Sequence, residues 1–281
     1  KTSKYINISG KYNTRSSLNQ QENKSVWFFG GSTIWGTGVK DNETIPSLFS
    51  LKTNKKVYNW GEQGWTSRQS LNQLINLVSD GLEPNTIIFY DGINDYILGC
   101  DSSTTNLASH FMEKRLNNKR SFFISLKDWM FKPYSYIYDS FLKINELNSS
   151  YYNCKDNEAK INNISDHLIN NWYLAYKISN NKNSEFYAII QPTLFSSKTN
   201  QSHIKFNQVY KDIHDQVYNK LVTRINKQCE KKFEYSFCKR IIDGRYWINT
   251  KLPIFIDEYH VNKSGNSIIV EKLVQEMYAN Q

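Results

Sequence analysis

Four short runs of apolar residues divide the first two thirds of the chain, and each run stops at or just before a turn-forming residue. They are residues 26–30 (VWFFG), 57–60 (VYNW), 86–92 (TIIFYDG) and 186–192 (FYAIIQP). Continuous apolar runs of this length are typical of strands that are buried on both faces, as in a parallel sheet. The pattern therefore predicts four parallel strands.

Helical spacing of apolar residues fills two of the intervals that adjoin these runs. Residues 67–82 place Leu71, Leu74, Ile75 and Val78 on one face and end near Gly81. A second apolar stripe repeats at every fourth residue of segment 209–225: Val209, Ile213, Val217, Leu221 and Ile225. Alternating strands and helices predict a three-layer α/β/α sandwich around a parallel sheet.

Two regions depart from this rhythm. Residues 1–25 are polar without a clear period and predict an extended arm that wraps the domain. Residues 96–184 are far longer than one crossover requires, and their helical pattern at 161–178 predicts a helical insertion between the third and fourth strands. We expect residues 26–281 to form a single domain, with the insertion beside the carboxyl ends of the strands.

Composition narrows the class of protein. Apolar residues make up 39% of the chain and aromatic residues 15%, which is too rich for a disordered protein. No apolar run approaches the roughly 18 residues of a membrane span. The net charge of +9 comes from scattered lysines without a nucleic-acid motif, so we expect no nucleic-acid partner. A solvated basic surface is the plain interpretation, and contact with an anionic polysaccharide or a membrane surface is the alternative.

The four cysteines, Cys100, Cys154, Cys229 and Cys238, show no Cys-x-x-Cys spacing, which argues against a metal or redox motif. They allow three pairings, and free buried thiols are an equal alternative. Cys229 with Cys238 is the best local pair, since it would join a helix end to an expected strand at residues 233–237. A disulfide would indicate an oxidising compartment.

The turn after the first run is the first candidate for chemistry. Residues 26–39 (VWFFGGSTIWGTGV) match neither glycine pattern of a phosphate-binding loop. A glycine-rich turn between a strand and a helix can also present a nucleophile, which singles out Ser32. A serine in such a turn is most often a cap or turn residue, so Ser32 needs support from elsewhere in the chain.

That support comes from the segments after the other strands and from the C-terminal region. Gly64 lies in the turn after the second run and Asn94 in the turn after the third. The carboxyl ends of parallel strands share one edge, where ligands bind in such sheets. Asp257 precedes His260 by three residues. An imidazole oriented by a carboxylate can activate a serine, while main-chain amides and an asparagine amide can stabilise the oxyanion.

In four blocks the chain resembles the SGNH hydrolases, the GDSL-type esterases and lipases. The blocks are residues 30–33 (GGST), 61–66 (GEQGWT), 92–95 (GIND) and 257–260 (DEYH). The resemblance covers residue 26 to the C-terminus, apart from 96–184, and implies a flavodoxin-like sheet. It implies Ser32, His260 and Asp257 as catalytic residues, an oxyanion hole of Ser32, Gly64 and Asn94, and no metal or cofactor. The family's aspartate before the serine is Gly31 here, and glycine adopts a strained turn easily.

The GGST form is similar to SGNH proteins associated with bacterial surface polysaccharides. The leading hypothesis is an esterase that removes a small acyl group, most often acetyl, from a carbohydrate. A polysaccharide O-acetyltransferase with the same site and a non-catalytic polysaccharide-binding domain are the alternatives. Position suggests Trp35, Trp65 and Gln191 as substrate-binding residues, although core packing is an equal interpretation for the two tryptophans.

The resemblance also bears on location. We expect a periplasmic or otherwise extracytoplasmic protein, with membrane anchoring through a segment absent from this chain as one arrangement. The sequence leaves the sugar, the acyl group and the oligomeric state open.

Overall fold

A five-stranded parallel sheet forms the centre of the protein, whose computed structural model describes residues 5–100 and 154–279. The strands are β3 (Val26–Gly30), β4 (Val57–Asn59), β5 (Thr86–Asp91), β6 (Glu185–Ile190) and β7 (Ile241–Asp243). Their order across the sheet is β4-β3-β5-β6-β7, and every neighbouring pair is parallel. The four predicted strands are present, while β7 is an addition.

Helices cover both faces of this sheet. They are α1 (Ser32–Trp35), α2 (Ile45–Thr53), α3 (Ser67–Ser79), α4 (Ile93–Cys100), α5 (Glu158–Asn181), α6 (Gln208–Lys231), α7 (Tyr235–Cys238) and α8 (Lys263–Ala279). Helices α3, α5 and α6 pack with Phe29 and Phe89 on one face, and α2 and α8 pack with Phe28 and Ile88 on the other. The predicted three-layer α/β/α sandwich is confirmed.

Two helices differ in detail from what the sequence predicted. Leu71 and Leu74 of α3 are buried as predicted, but Ile75 is exposed and Leu77 takes its place in the core. Helix α5, which the sequence places in the insertion, packs on α3, α6 and β6 and belongs to a layer of the sandwich. Its side chains Leu168 and Trp172 are buried in the core of that layer. Residues 101–153 of the predicted insertion lie outside the described residues.

The predicted extended arm has structure of its own. Strands β1 (Ile8–Ser9) and β2 (Thr14–Arg15) form an antiparallel pair in which Ile8 opposes Arg15. Further along, Gln20 bridges Val57 of β4 in parallel fashion. The arm thus lies along the β4 edge of the sheet and carries a buried arginine.

All four cysteines form disulfides. Cys100 at the end of α4 pairs with Cys154, and Cys229 in α6 pairs with Cys238 in α7. The expected strand at residues 233–237 is wrong, since Tyr235–Cys238 is a helical turn held by the second disulfide and by the buried ring of Phe237. Within residues 5–100 and 154–279, no helix is both long and apolar enough to cross a membrane.

Candidate active site

Ser32 lies in the turn where β3 ends and α1 begins. Strand β3 ends at Gly30, whose φ of +156° lies at the edge of the range that only glycine adopts readily. A Cβ at Gly30 would come within 2.5 Å of the carbonyl oxygen of Tyr90 on the neighbouring strand. The chain therefore turns tightly against β5, and Ser32 becomes the first residue of α1.

The loop before α8 brings His260 and Asp257 to the same place. A bridge between Phe255 and Val261 closes this loop, and the Ile256 N–H donates to the His260 carbonyl at 2.8 Å. Asp257 Oδ1 accepts the main-chain N–H groups of Tyr259 at 2.9 Å and His260 at 2.8 Å. The carboxylate is thereby oriented by its own loop.

Three side chains form one hydrogen-bonded chain. Asp257 Oδ2 lies 2.7 Å from His260 Nδ1, and His260 Nε2 lies 2.7 Å from Ser32 Oγ. An ionised carboxylate only accepts, so Nδ1 carries the proton and Nε2 is free to accept from the serine hydroxyl. This is the arrangement in which an imidazole withdraws a proton from a serine.

The protonation state of Asp257 fits this arrangement. Burial raises the pKa of its carboxyl, but the hydrogen bonds from the His260 ring and from the two main-chain N–H groups outweigh burial, and the net pKa is lowered. The carboxylate is therefore charged at neutral pH. The His260 side chain is 16% exposed and the Asp257 side chain 44%, so the pair borders solvent.

The segments after β4 and β5 meet beside the serine. Gly64 has a φ of +72°, which favours glycine in this turn. Asn94 Nδ2 donates to the Trp65 carbonyl at 2.7 Å and packs against the Cα of Gly31, where a Cβ would collide with it. Within the described residues, the main-chain N–H groups of Ser32 and Gly64 have no acceptor. Among the described residues, these two N–H groups thus remain available as donors.

The absence of a side chain at position 31 is explained by the limited space around it rather than by backbone strain. Its φ of −84° is ordinary for any residue, contrary to the expectation from sequence. A side chain at this position would displace the Asn94 amide and come within 3.2 Å of the Trp65 carbonyl. Gly31 therefore allows the close approach of Asn94.

Comparison with known proteins finds likenesses among solved structures. Neither protein-family models nor curated protein sequences gave a match. A lipolytic protein of the G-D-S-L family from Desulfitobacterium hafniense DCB-2 is similar at a TM-score of 0.49 and 10% identity, over 90% of this chain and 99% of that one.

Two carbohydrate esterases are also similar. One, from Clostridium thermocellum in complex with cellohexaose, gives a TM-score of 0.45 and 9% identity over 95% of this chain and 67% of its own. The other, an acetyl xylan esterase from Butyrivibrio proteoclasticus, gives 0.47 and 11% over 95% and 65%. All three TM-scores are below 0.5. The residues of the site, rather than these likenesses, therefore carry the functional conclusion.

The suggested substrate-binding residues lie in different surroundings. Trp35 and Trp65 are both partly exposed, and both follow Ser32 in sequence. The Arg15 guanidinium lies 4.6 Å above the Trp35 ring, so one face of that ring is covered. Gln191 is 2% exposed and lies in the interior, where its main chain bonds to Asp91 and Tyr218. Gln191 is therefore less exposed than either tryptophan.

A buried carboxyl pair beneath the site is not foreseen from sequence. Asp95 accepts the N–H and the hydroxyl of Ser67 at 3.1 Å and 2.6 Å, and Asp91 accepts Trp172 Nε1 at 3.2 Å. Burial first, and then the Asp95 charge, raises the pKa of Asp91 well above its usual range, and burial raises that of Asp95. Asp95 thus joins α4 to the start of α3.

Asn59 is a second residue that sequence reasoning missed. Its amide donates to the Ile34 carbonyl at 2.9 Å and accepts the Gly61 N–H at 3.0 Å, which ties α1 to the segment after β4. A single asparagine at a strand end carries no sequence signal for this role. No group of His, Cys, Asp and Glu suited to a metal ion occurs in the part of the chain that the structure describes.

Proposed function

We propose that this protein is a serine esterase of the SGNH hydrolase type that removes a small acyl group from a carbohydrate, with acetyl as the leading candidate. The observation that carries the proposal is the pair of 2.7 Å contacts that link Asp257, His260 and Ser32. A serine hydroxyl needs a neighbouring base to act as a nucleophile, and His260 Nε2 lies within reach of its proton.

The reaction follows from these contacts. Ser32 Oγ attacks the ester carbonyl carbon while its proton passes to His260 Nε2, and Asp257 stabilises the imidazolium. Collapse of the tetrahedral intermediate returns that proton to the departing sugar oxygen and leaves an acyl group on Ser32. Water then attacks the acyl-serine, gives its proton to His260, and the acid leaves as Ser32 recovers its hydrogen. Metal and cofactor have no step in this scheme.

The negative charge on the attacked oxygen needs donors in place before the reaction. The free N–H groups of Ser32 and Gly64 and the second N–H of Asn94 Nδ2 would supply them. Preorganised donors of this kind contribute a large share of rate enhancement in acyl transfer.

The surroundings support a sugar ester and an oxidising location. Trp35 and Trp65 offer partly exposed aromatic faces of the kind that pack against sugar rings. Two disulfides favour a protein that resides in a periplasm or outside the cell, since the cytosol keeps most thiols reduced. Both features fit an enzyme acting on an acylated surface polysaccharide.

The test combines covalent labelling with turnover. A fluorophosphonate probe should modify Ser32, detected as a mass shift on its peptide, and the protein should hydrolyse p-nitrophenyl acetate. Ser32→Ala should remove the label and lower turnover by on the order of 10³-fold or more. Ser267→Ala, on the exposed face of α8, is the matched control and should change neither readout.

Near-normal turnover by a folded Ser32→Ala protein would exclude the serine mechanism. Loss of p-nitrophenyl acetate only when a deacetylated polysaccharide is added, with acetate appearing on the polymer, would instead identify an acetyltransferase. No label and no turnover in either assay would indicate a binding domain.

A further inference from the structure

Arg15, in the N-terminal arm, is completely buried although it is an arginine. Its Nε donates to Asp41 Oδ1 at 2.8 Å, and its Nη1 and Nη2 donate to the Trp35 and Val39 carbonyls at 3.0 Å and 2.5 Å. Nη1 also donates to the Gly36 carbonyl. One guanidinium therefore meets three carbonyls and one carboxylate.

Those carbonyls belong to the chain that leaves α1. The last carbonyls of a helix have no partner within it and need one from outside. Gly36 has a φ of +95°, so the chain turns away from the helix at this point. Arg15 supplies hydrogen-bond donors to these carbonyls. Its side chain is 0% exposed, so these contacts are made without solvent.

The same segment is bonded to the candidate nucleophile. The N–H groups of Gly36 and Thr37 both donate to the Ser32 carbonyl at 2.9 Å. Helix α1 has only four residues, so a shift at Gly36 is transmitted directly to Ser32. The path from Arg15 to Ser32 consists of two successive hydrogen bonds.

Arg15 is itself held by the other end of the arm. Asp41 Oδ2 accepts the main-chain N–H and the side-chain Nδ2 of Asn7, at 2.9 Å and 2.8 Å. The Asp41 N–H donates to the Tyr5 carbonyl at 3.1 Å. Asp41 therefore bonds to Arg15 in β2 and to the segment just before β1, and its carboxylate orients the guanidinium.

We propose that Arg15 is a positioning residue that holds the Ser32 turn in its reactive geometry, and that the arm is thereby a working part of the active site. The inference rests on the proposed esterase function. Bidentate and multidentate contacts of a planar guanidinium fix geometry in a way that a lysine ammonium does not. Small displacements of a nucleophile lower the rate without weakening substrate binding.

Chemical rescue tests this role. Arg15→Ala removes the equivalent of an ethylguanidinium group, and we expect kcat to fall by about 10- to 100-fold with little change in KM. Ethylguanidinium at concentrations well below those that unfold the protein should restore much of kcat. Ethylurea, which has a similar shape without the charge, should restore little, and Arg15→Lys should remain impaired.

Arg224→Ala is the matched control, since Arg224 pairs with Asp166 through two hydrogen bonds on the α5 and α6 surface. It should keep wild-type kcat and ignore ethylguanidinium. Wild-type kcat in a folded Arg15→Ala protein would overturn the inference, as would loss of kcat that ethylguanidinium does not restore.

If Arg15→Ala does not fold, the Asp41→Asn variant tests the inference instead. It leaves the carbonyl contacts but removes the charge that orients the guanidinium, so kcat should fall several-fold at unchanged KM. An unchanged kcat would overturn the inference. Failure of the esterase proposal itself is recognised separately, since the wild-type protein would then neither turn over the acetate ester nor take the fluorophosphonate label.

Discussion

At the scale of single residues, the site depends on how closely three segments approach one another around Ser32. Asn94 reaches its place only because Gly31 has no side chain. Any larger residue at this position would place its Cβ in the space of the Asn94 amide. The identity of residue 31 therefore affects the orientation of the Asn94 amide, the oxyanion donor of the proposed mechanism.

Gly31→Ala tests that coupling. The added methyl group should displace the Asn94 amide and lower kcat by about 10²-fold, the scale of losing one oxyanion donor, while the melting temperature changes little. Because both changes remove the same donor, Gly31→Ala combined with Asn94→Ala should be no slower than Asn94→Ala alone. Additive losses in this double-mutant cycle would show that Gly31 acts through something else.

Asp257→Asn tests the carboxylate. Asparagine keeps the size of the side chain but removes the charge that stabilises the imidazolium, and its amide can impose the wrong His260 tautomer. We expect kcat/KM for an acetyl ester to fall by about 10³-fold or more at pH 7, with the fold retained. Glu258→Gln, at the adjacent position, serves as the control, and equal activity of Asp257→Asn and wild type would separate Asp257 from the mechanism.

At the scale of helices and strands, Asp91 and Asp95 connect β5 and α4 to α3 and α5. Both carboxyls have raised pKa values, from burial first, so folding takes up protons at these groups. An acid whose pKa is higher in the folded state loses its contribution to stability as the pH rises from its ordinary value through the folded one. The pair should therefore make the protein less stable at neutral pH than in mild acid.

Urea unfolding at pH 5 and pH 8 checks this expectation. Asp91→Asn should shift the difference in the free energy of unfolding between the two pH values in favour of pH 8, because it removes a carboxyl group that takes up a proton on folding. Asp212→Asn, on the exposed face of α6, should leave the difference in place. An unchanged difference in Asp91→Asn would contradict the assignment.

Elements with strong periodicity were predictable from sequence, and those held by contacts across the fold were not. The runs at β3 and β5 predicted strands because they are almost continuously apolar, with polar residues only at the two ends of β5. Strand β7 has three residues and no apolar run, so only its pairing with β6 reveals it. Residues 233–237 favoured a strand by composition, whereas the Cys229–Cys238 disulfide and Phe237 packing stabilise a helical turn.

The candidate site likewise contains residues that the sequence indicated and residues that it did not. Ser32, Gly64 and Asn94 stood out because turns after parallel strands meet at one edge, and Asp257 with His260 because of their spacing. In the structure Ser32, His260 and Asp257 form one hydrogen-bonded chain, and Asn94 packs against Gly31. Arg15 and Asn59 gave no signal, because their partners are main-chain carbonyls whose positions no sequence pattern records.

At the scale of the whole molecule, two disulfides join elements on the α5 and α6 side of the sheet. Cys100–Cys154 closes a separation of 54 residues and Cys229–Cys238 one of 9. On the loop-entropy model the longer closure stabilises by about 4 kcal/mol and the shorter by nearer 3 kcal/mol. The first bond should therefore contribute more to the stability of the folded state.

Paired alanine variants measure this difference. Cys100→Ala with Cys154→Ala should lower the free energy of unfolding in urea by more than Cys229→Ala with Cys238→Ala, and both should keep hydrolytic activity at low temperature. An equal or reversed order would show that strain or packing, rather than loop closure, dominates the contribution of these bonds.

The Cys100–Cys154 bond also has a consequence for how the chain can be altered. It fixes the Cα atoms of these two residues 5.3 Å apart, at the end of the helix that carries Asn94. A protease cut anywhere between these two cysteines would therefore leave two fragments that stay covalently joined until a reductant opens the bond.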